Sequence, residues 1–254
     1  MRSLVTSGSQ GEQAGRLFLA AVVVVFLPYL PFGNIIAYPF VILTTWFHEM
    51  GHGFTAILLG NSFEQLVILP SGSGYALSSI ASDASRFERA AIAAGGPIAP
   101  SLFGAAFILA SAKTQWWKPA FYALTAILVL SVVIWVRSWV GVLVLPALAA
   151  LFVLVAKKAR PEWQRFTLQF IGLLAALSMF RDWDYLFSKN ATINGEVMLS
   201  DTGQMQAQLA LPYWFWAGVI ITICFAIVGV SLKVALAAST RQTSSWSRQG
   251  WRKR

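Results

Sequence analysis

The chain has 254 residues, of which 57% are hydrophobic and only 11% are charged, and its formal net charge is +9. Soluble domains carry about 25% charged residues, so this composition excludes an ordinary soluble domain and predicts a membrane protein. Lys and Arg gather at the cytoplasmic ends of membrane helices, which accounts for the positive charge without a nucleic-acid site.

Apolar runs that approach the roughly 20 residues needed to cross a bilayer recur along the chain. We predict an all-α polytopic membrane protein with about seven transmembrane helices and a small membrane-associated β-hairpin. The membrane domain covers residues 17–238, between an N-terminal tail (1–16) and a basic C-terminal tail (239–254). The predicted spans are 17–32, 35–59, 90–112, 117–136, 138–156, 165–182 and 211–236.

This number of spans places the basic loops and the basic tail on one side of the membrane. Because Lys and Arg mark the cytoplasmic side, we expect that side to be the cytoplasm and the N-terminus to lie outside. The tail also carries Trp246 and Trp251 among its basic residues, a composition suited to an anionic lipid surface. We therefore expect an integral, multi-pass protein of the cell (plasma) membrane.

The second predicted span contains the motif His48-Glu49-Met50-Gly51-His52, which uses both histidines of the chain. On a helix the two histidines lie one turn apart on the same face, so both rings can reach one Zn²⁺ ion. Glu49 is placed to deprotonate a water on the metal. No charged residue occurs from Leu17 to Phe47, and a glutamate at membrane depth is costly, which indicates a functional site.

Residues 61–85 do not have the pattern of a membrane helix. Residues 64–70 and 75–80 are predicted to be strands, joined by a turn at Ser71-Gly72-Ser73-Gly74. This hairpin is either a surface loop or an edge that pairs with an extended peptide by β-augmentation.

The segment Ala93-Ala94-Gly95-Gly96-Pro97-Ile98-Ala99-Pro100 opens the third span. Gly and Pro at membrane depth indicate either close helix packing or a broken helix that lines a cavity.

A catalytic zinc ion has three protein ligands, and the motif supplies two of them. Since the chain has no third histidine, we expect a carboxylate; Cys224, in an apolar run, is the lesser choice. Asp182 and Asp184 lie among aromatic residues at the end of the sixth span, and we prefer Asp184 because Asp182 is next to Arg181. Asp201 is interpreted as a helix N-cap and ranks third.

These residues resemble the site-2 protease family of intramembrane zinc metalloproteases, most of all its small branch without a PDZ domain. The resemblance rests on the motif at residues 48–52, the hairpin after it and Ala94-Gly95-Gly96-Pro97-Ile98-Ala99. The segments Asp182-Trp183-Asp184 and Ser200-Asp201 are similar to acidic stretches of that branch. The sequence departs from the family in lacking a Leu-Asp-Gly motif and the Asn that follows the Gly-Pro segment.

The resemblance implies Zn²⁺ held by His48, His52 and an aspartate, with Glu49 as the general base. It also implies hydrolysis of peptide bonds in membrane protein or peptide substrates, within or near the lipid bilayer. Two alternatives stay open: a non-proteolytic membrane scaffold or regulator that keeps the zinc site, and a transporter. The absence of charged residues from the middle of the other spans argues against an ion-coupled transporter.

Overall fold

The computed structural model describes residues 10–27, 30–181, 183–193 and 195–251. Helices dominate, with two small β-hairpins between them. The helices are α1 (Gln10–Phe26), α2 (Gly33–Leu58), α3 (Arg86–Ser111), α4 (Trp117–Ile134), α5 (Trp139–Lys158), α6 (Pro161–Arg181), α7 (Trp183–Leu186), α8 (Asp201–Leu209) and α9 (Tyr213–Trp251). The strands are β1 (Ser62–Ile68), β2 (Gly74–Ser79), β3 (Asn190–Ile193) and β4 (Glu196–Leu199).

In the described part of the chain, four helical segments are long and apolar enough to cross a membrane. They are Arg86–Ser111, Thr114–Ile134, Trp139–Lys158 and Tyr213–Ala237. They confirm a mainly helical, integral membrane protein. Each predicted span corresponds to a helix, but the number of seven membrane crossings stays a prediction, as does the domain division.

The centre of the molecule is formed by α2 and α3, and α3 also packs against α6, α8 and α9. The middle of α2 is buried on all sides: Trp46, Phe47 and Met50 have no exposed surface. The indole N–H of Trp46 donates to Ser131 Oγ of α4 at 2.9 Å, so its polar group is satisfied inside the core. The second half of α2, which carries the motif, is therefore held in a fixed position.

The first hairpin confirms the predicted strands to within a few residues. β1 and β2 pair antiparallel from Ser62–Ser79 to Ile68–Gly74. Its turn contacts α2, where Thr45 Oγ1 donates to Gly72 O at 2.5 Å and Tyr38 Oη donates to Pro70 O at 3.0 Å. Gly72 has a φ of +90°, a backbone conformation that glycine adopts without strain. The turn is thus attached to the helix that bears the motif.

Apart from a helix that begins near Asp201, the structure of the polar connection 181–210 was not predicted from the sequence. It contains α7, a second hairpin of β3 and β4, and α8. Asp182 and Asn194 lie outside the described residues. Helix α9 continues to Trp251, so no helix end marks the start of the predicted tail at residue 239. Arg252, Lys253 and Arg254 of that tail lie outside the described residues.

Candidate metal centre and active site

The two histidines of the motif lie side by side on α2, as their spacing predicts. Their Nε2 atoms are 3.2 Å apart. Nδ1 of His52 is 2.8 Å from the backbone oxygen of Ile92 on α3. A carbonyl oxygen can only accept, so Nδ1 carries the proton and Nε2 of a neutral His52 keeps its lone pair for a ligand.

Glycines allow α3 to come this close to the motif. A Cβ at Gly51 would collide with the backbone oxygen of Gly95, and a Cβ at Gly95 would meet the side chain of Thr55. A Cβ at Gly96 would collide with the ring of His52. Of the two predicted roles of the Gly-Pro segment, close packing is the one observed, because α3 runs unbroken through Pro97 and Pro100.

The carboxylate that faces the histidines belongs to Asp201. Its Oδ2 is 3.1 Å from His48 Nε2, and its Oδ1 is 3.3 Å from His52 Nε2. Of the described residues, His48, His52 and Asp201 form a group of possible metal ligands whose donor atoms all lie within 4.8 Å of one another. Asp201 is 2% exposed, so this charge is buried and needs partners.

This geometry differs from the sequence-based preference for Asp184. Asp184 lies on α7 with its side chain exposed, and it is not part of the group around the histidines. The physical reason is the local capping of α8. Ser200, not Asp201, is the N-cap, and its Oγ accepts from the backbone N–H of Gly203 at 3.0 Å. Asp201 is the first residue of the helix, and its carboxylate is free to face the histidines.

Buried polar contacts fix the segment that carries Asp201. Thr202 Oγ1 donates to the backbone oxygen of Leu186 at 2.8 Å, and the backbone N–H of Ser200 donates to Lys189 O at 3.0 Å. A Cβ at Gly203 would collide with Lys189 O. Ser200, Asp201 and Thr202 are all buried. A run of small polar residues that ends in glycine was the available sequence signal for this site.

The charge state of Asp201 suits a metal ligand. Burial raises the pKa of this carboxyl, but the facing His52 and His48 more than offset burial and hold the pKa well below its usual range. Tyr185 lies beside this group, and its ring is edge-on to His48 with 6.2 Å between centroids. Burial, together with Asp201 and Glu49, raises the pKa of the Tyr185 hydroxyl, so this group stays protonated and can donate.

The three donors match the requirements of zinc. Two neutral imidazoles and one carboxylate are a known donor set for catalytic zinc. Ligands about 2.0–2.1 Å from a tetrahedral ion lie about 3.3–3.4 Å from one another. The observed separations of 3.2, 3.1 and 3.3 Å are close to that value. The residues therefore fit the ion that the motif predicts.

A cavity of about 380 Å³ opens beside His48 and Glu49. Both residues line it, so a predicted ligand and the predicted base face the same space. Glu49 is 6% exposed and lies next to the start of β2, where a Cβ at Gly74 would be 3.2 Å from Glu49 Cγ. The lining residues are Val41, Thr45, His48, Glu49, Ser71, Gly72, Ser73, Gly74, Tyr185, Ala191, Thr192 and Ile193.

The lack of space beside His52 gives a first prediction. Gly96→Ala adds a methyl group that must push the His52 ring away, so we expect zinc affinity to fall by about 10- to 100-fold, the range for lost ligand orientation. The zinc affinity is measured from the zinc content of the purified protein at a series of controlled free zinc concentrations. Gly229→Ala on α9 is the control, because a Cβ there has open space. Equal zinc affinity in both variants would contradict the packing described here.

In comparisons with known proteins, the chain matches one protein family. The family model described as Peptidase M50B-like matches residues 17–231, a range that contains the motif, both hairpins and Asp201. Neither the curated proteins nor the solved structures give a match.

Proposed function

The chain belongs to the Peptidase M50B-like family, and we propose that it is an intramembrane zinc metalloprotease that hydrolyses peptide bonds of membrane proteins. The observation that carries this proposal is the grouping of His48, His52 and Asp201, together with a cavity that both His48 and Glu49 line. This arrangement supplies a metal-binding donor set and a general base in the same space.

His48, His52 and Asp201 would hold the zinc ion. When bound, zinc would supply Lewis-acid chemistry, lowering the pKa of a water towards about 7 and polarising the scissile carbonyl. The protein keeps these ligands in place through the hydrogen bond from His52 to Ile92 and through the buried Ser200 cap of α8, which precedes Asp201. Such supporting contacts set ligand orientation and basicity.

Glu49 has the role of general base. It directly follows His48 in sequence, lies three residues before His52, and lines the cavity. It accepts a proton from the attacking water and passes it to the leaving amine. General acid-base catalysis of this kind contributes about 10²- to 10⁴-fold to rate.

The substrate must reach this cavity in an extended form. Backbone groups locked in a helix are paired with one another and present no free scissile bond, so the substrate helix has to unwind locally. The edge of the first hairpin is the element proposed to receive the unwound segment by β-augmentation. The partners are then a membrane protein or peptide substrate and the lipid bilayer, with the plasma membrane as the proposed location.

The non-proteolytic alternative arose from the missing Leu-Asp-Gly motif. Asp201 stands beside the histidines where a third ligand is needed, so the missing motif no longer favours a scaffold over an enzyme. The cavity beside Glu49 can serve as the substrate site of a protease. No observation on the described residues therefore specifically favours a transporter.

A comparison of membrane proteomes tests the proposed function. Cells with the wild-type protein are compared with cells that carry Glu49→Gln at the same expression level. We expect particular membrane proteins to accumulate uncut in the variant, with the corresponding fragments present only in the wild type. Identical fragments in both strains would speak for a non-proteolytic protein.

A further inference from the structure

The cavity over Glu49 has walls from two separate hairpins. One wall is the turn of the first hairpin with the start of β2, at Ser71–Gly74. β3 also lines the cavity, at Ala191–Ile193. Each hairpin is a two-stranded sheet of its own, so each has outer edges whose backbone groups its partner strand does not use.

The outer edge of β2 lies next to Glu49. Leu66 of β1 donates its N–H to Trp135 O at 2.8 Å and accepts from the N–H of Arg137 at 2.9 Å, so both of its groups point away from β2. Leu66 pairs with Ala76, and in such a pair the partner's groups point away as well. Ala76 therefore presents its N–H and C=O at the outer edge of β2.

The outer edge of β3 can be assigned in the same way. The backbone N–H of Ser200 donates to Lys189 O at 3.0 Å, which makes this a hydrogen-bonded pair. The pairs alternate along the ladder, so Thr192 and its partner Val197 form a pair without mutual hydrogen bonds. Thr192 thus presents its N–H and C=O at the outer edge of β3, and Val197 presents its own at the outer edge of β4.

It is the edge of β3, not a face, that borders the cavity. Three successive residues of β3 line it, whereas β4 contributes none. If a face of this hairpin bordered the cavity, the lining would consist of every second residue of β3 together with residues of β4. Among the described residues, Thr192 makes no backbone hydrogen bond to a segment outside its hairpin.

We propose that the substrate is held as an extended strand between β2 and β3, so that the two hairpins and the substrate form one sheet across the cavity. This inference rests on the proposed function and deepens it by adding a second binding edge. Its occupant is a locally unwound segment of a membrane protein. Main-chain hydrogen bonds from both sides hold its backbone over His48 and Glu49 without requiring a particular side chain.

Two proline variants of the same hairpin test this proposal. Thr192→Pro and Val197→Pro each remove an N–H that makes no bond within the hairpin, which an edge strand tolerates. Only Thr192 faces the cavity. The probe is a synthetic peptide that covers the membrane span of a protein found uncut in Glu49→Gln cells. We expect Thr192→Pro to lower kcat/KM for this peptide by about five- to tenfold, the effect of about one backbone hydrogen bond, with unchanged zinc content.

Val197→Pro serves as the matched control and should keep kcat/KM within about twofold of the wild type, because its N–H points away from the cavity. If the wild type cleaves the peptide and the two variants are equally active or equally impaired, the second binding edge is wrong. If the wild type itself does not cleave the peptide, the proposed function fails, and the substrate strand between the hairpins fails with it.

Discussion

Glu49→Gln is expected to lower the rate of peptide-bond hydrolysis by at least about 100-fold, the lower range for loss of a general base. The amide keeps the size of the side chain but cannot accept the proton of the attacking water. Since Glu49 is not among the three grouped donors, zinc content should stay at about one ion per chain, as in a mononuclear catalytic site. Cleavage of the substrate peptide and zinc content are measured on the same preparation.

Glu64→Gln is the control for this substitution. Glu64 is exposed on β1, in the hairpin that follows the motif, so the same chemical change there should leave hydrolysis unaltered. A Glu49→Gln protein that cleaves at near the wild-type rate would show that another group takes the proton.

Asp201→Ala is expected to lower zinc affinity by more than about 100-fold, beyond the range for residues that only support a ligand. The substitution leaves two neutral imidazoles without the anionic donor that completes the set. His48→Ala and His52→Ala should cause losses of similar size. Zinc competition against a chelator of known affinity measures all three variants.

The comparison with Asp184→Ala decides between the two aspartates. The sequence favours Asp184, whereas the structure places Asp201 beside the histidines and leaves Asp184 exposed. We therefore expect Asp184→Ala to bind zinc as the wild type does. If Asp184→Ala loses zinc and Asp201→Ala retains it, the ligand set described here is incorrect.

The parts of the site that lie close together in sequence were predictable. The i, i+4 spacing of His48 and His52 is enough to place both rings on one face of a helix, and the structure has their Nε2 atoms 3.2 Å apart. The first hairpin followed from its alternating strands and its Ser-Gly turn. Both features follow from the helical period and from strand and turn patterns, which involve only residues close together in the sequence.

The third donor could not be ranked correctly by the same means. Asp201 is 153 positions from His48, and no periodicity links them. Both Ser200 and Asp201 are suitable N-cap residues by type. Only the three-dimensional structure shows that Ser200 caps α8 and that Asp201 faces the histidines. The aromatic neighbours of Asp184 looked like a membrane boundary, but Asp184 lies on the short helix α7 and is exposed.

The second hairpin was missed for a related reason. β3 and β4 have only four residues each, and they occur in a polar connection that contains no long apolar run. Strands this short are specified mainly by their turn and by neighbours that pack against them. The polar segment 200–202, buried against the chain between α7 and β3, supplies such a neighbour.

The most direct test of the central claim is zinc-dependent cleavage by the purified protein. The wild-type protein is incubated with the substrate peptide before chelation, after chelation, and after zinc is restored, and mass spectrometry identifies the new peptide ends. We predict that one set of fragments appears with zinc, disappears on chelation and returns when zinc is added back. Intact peptide in the presence of the zinc-loaded protein, or fragments that chelation does not diminish, would contradict a zinc metalloprotease.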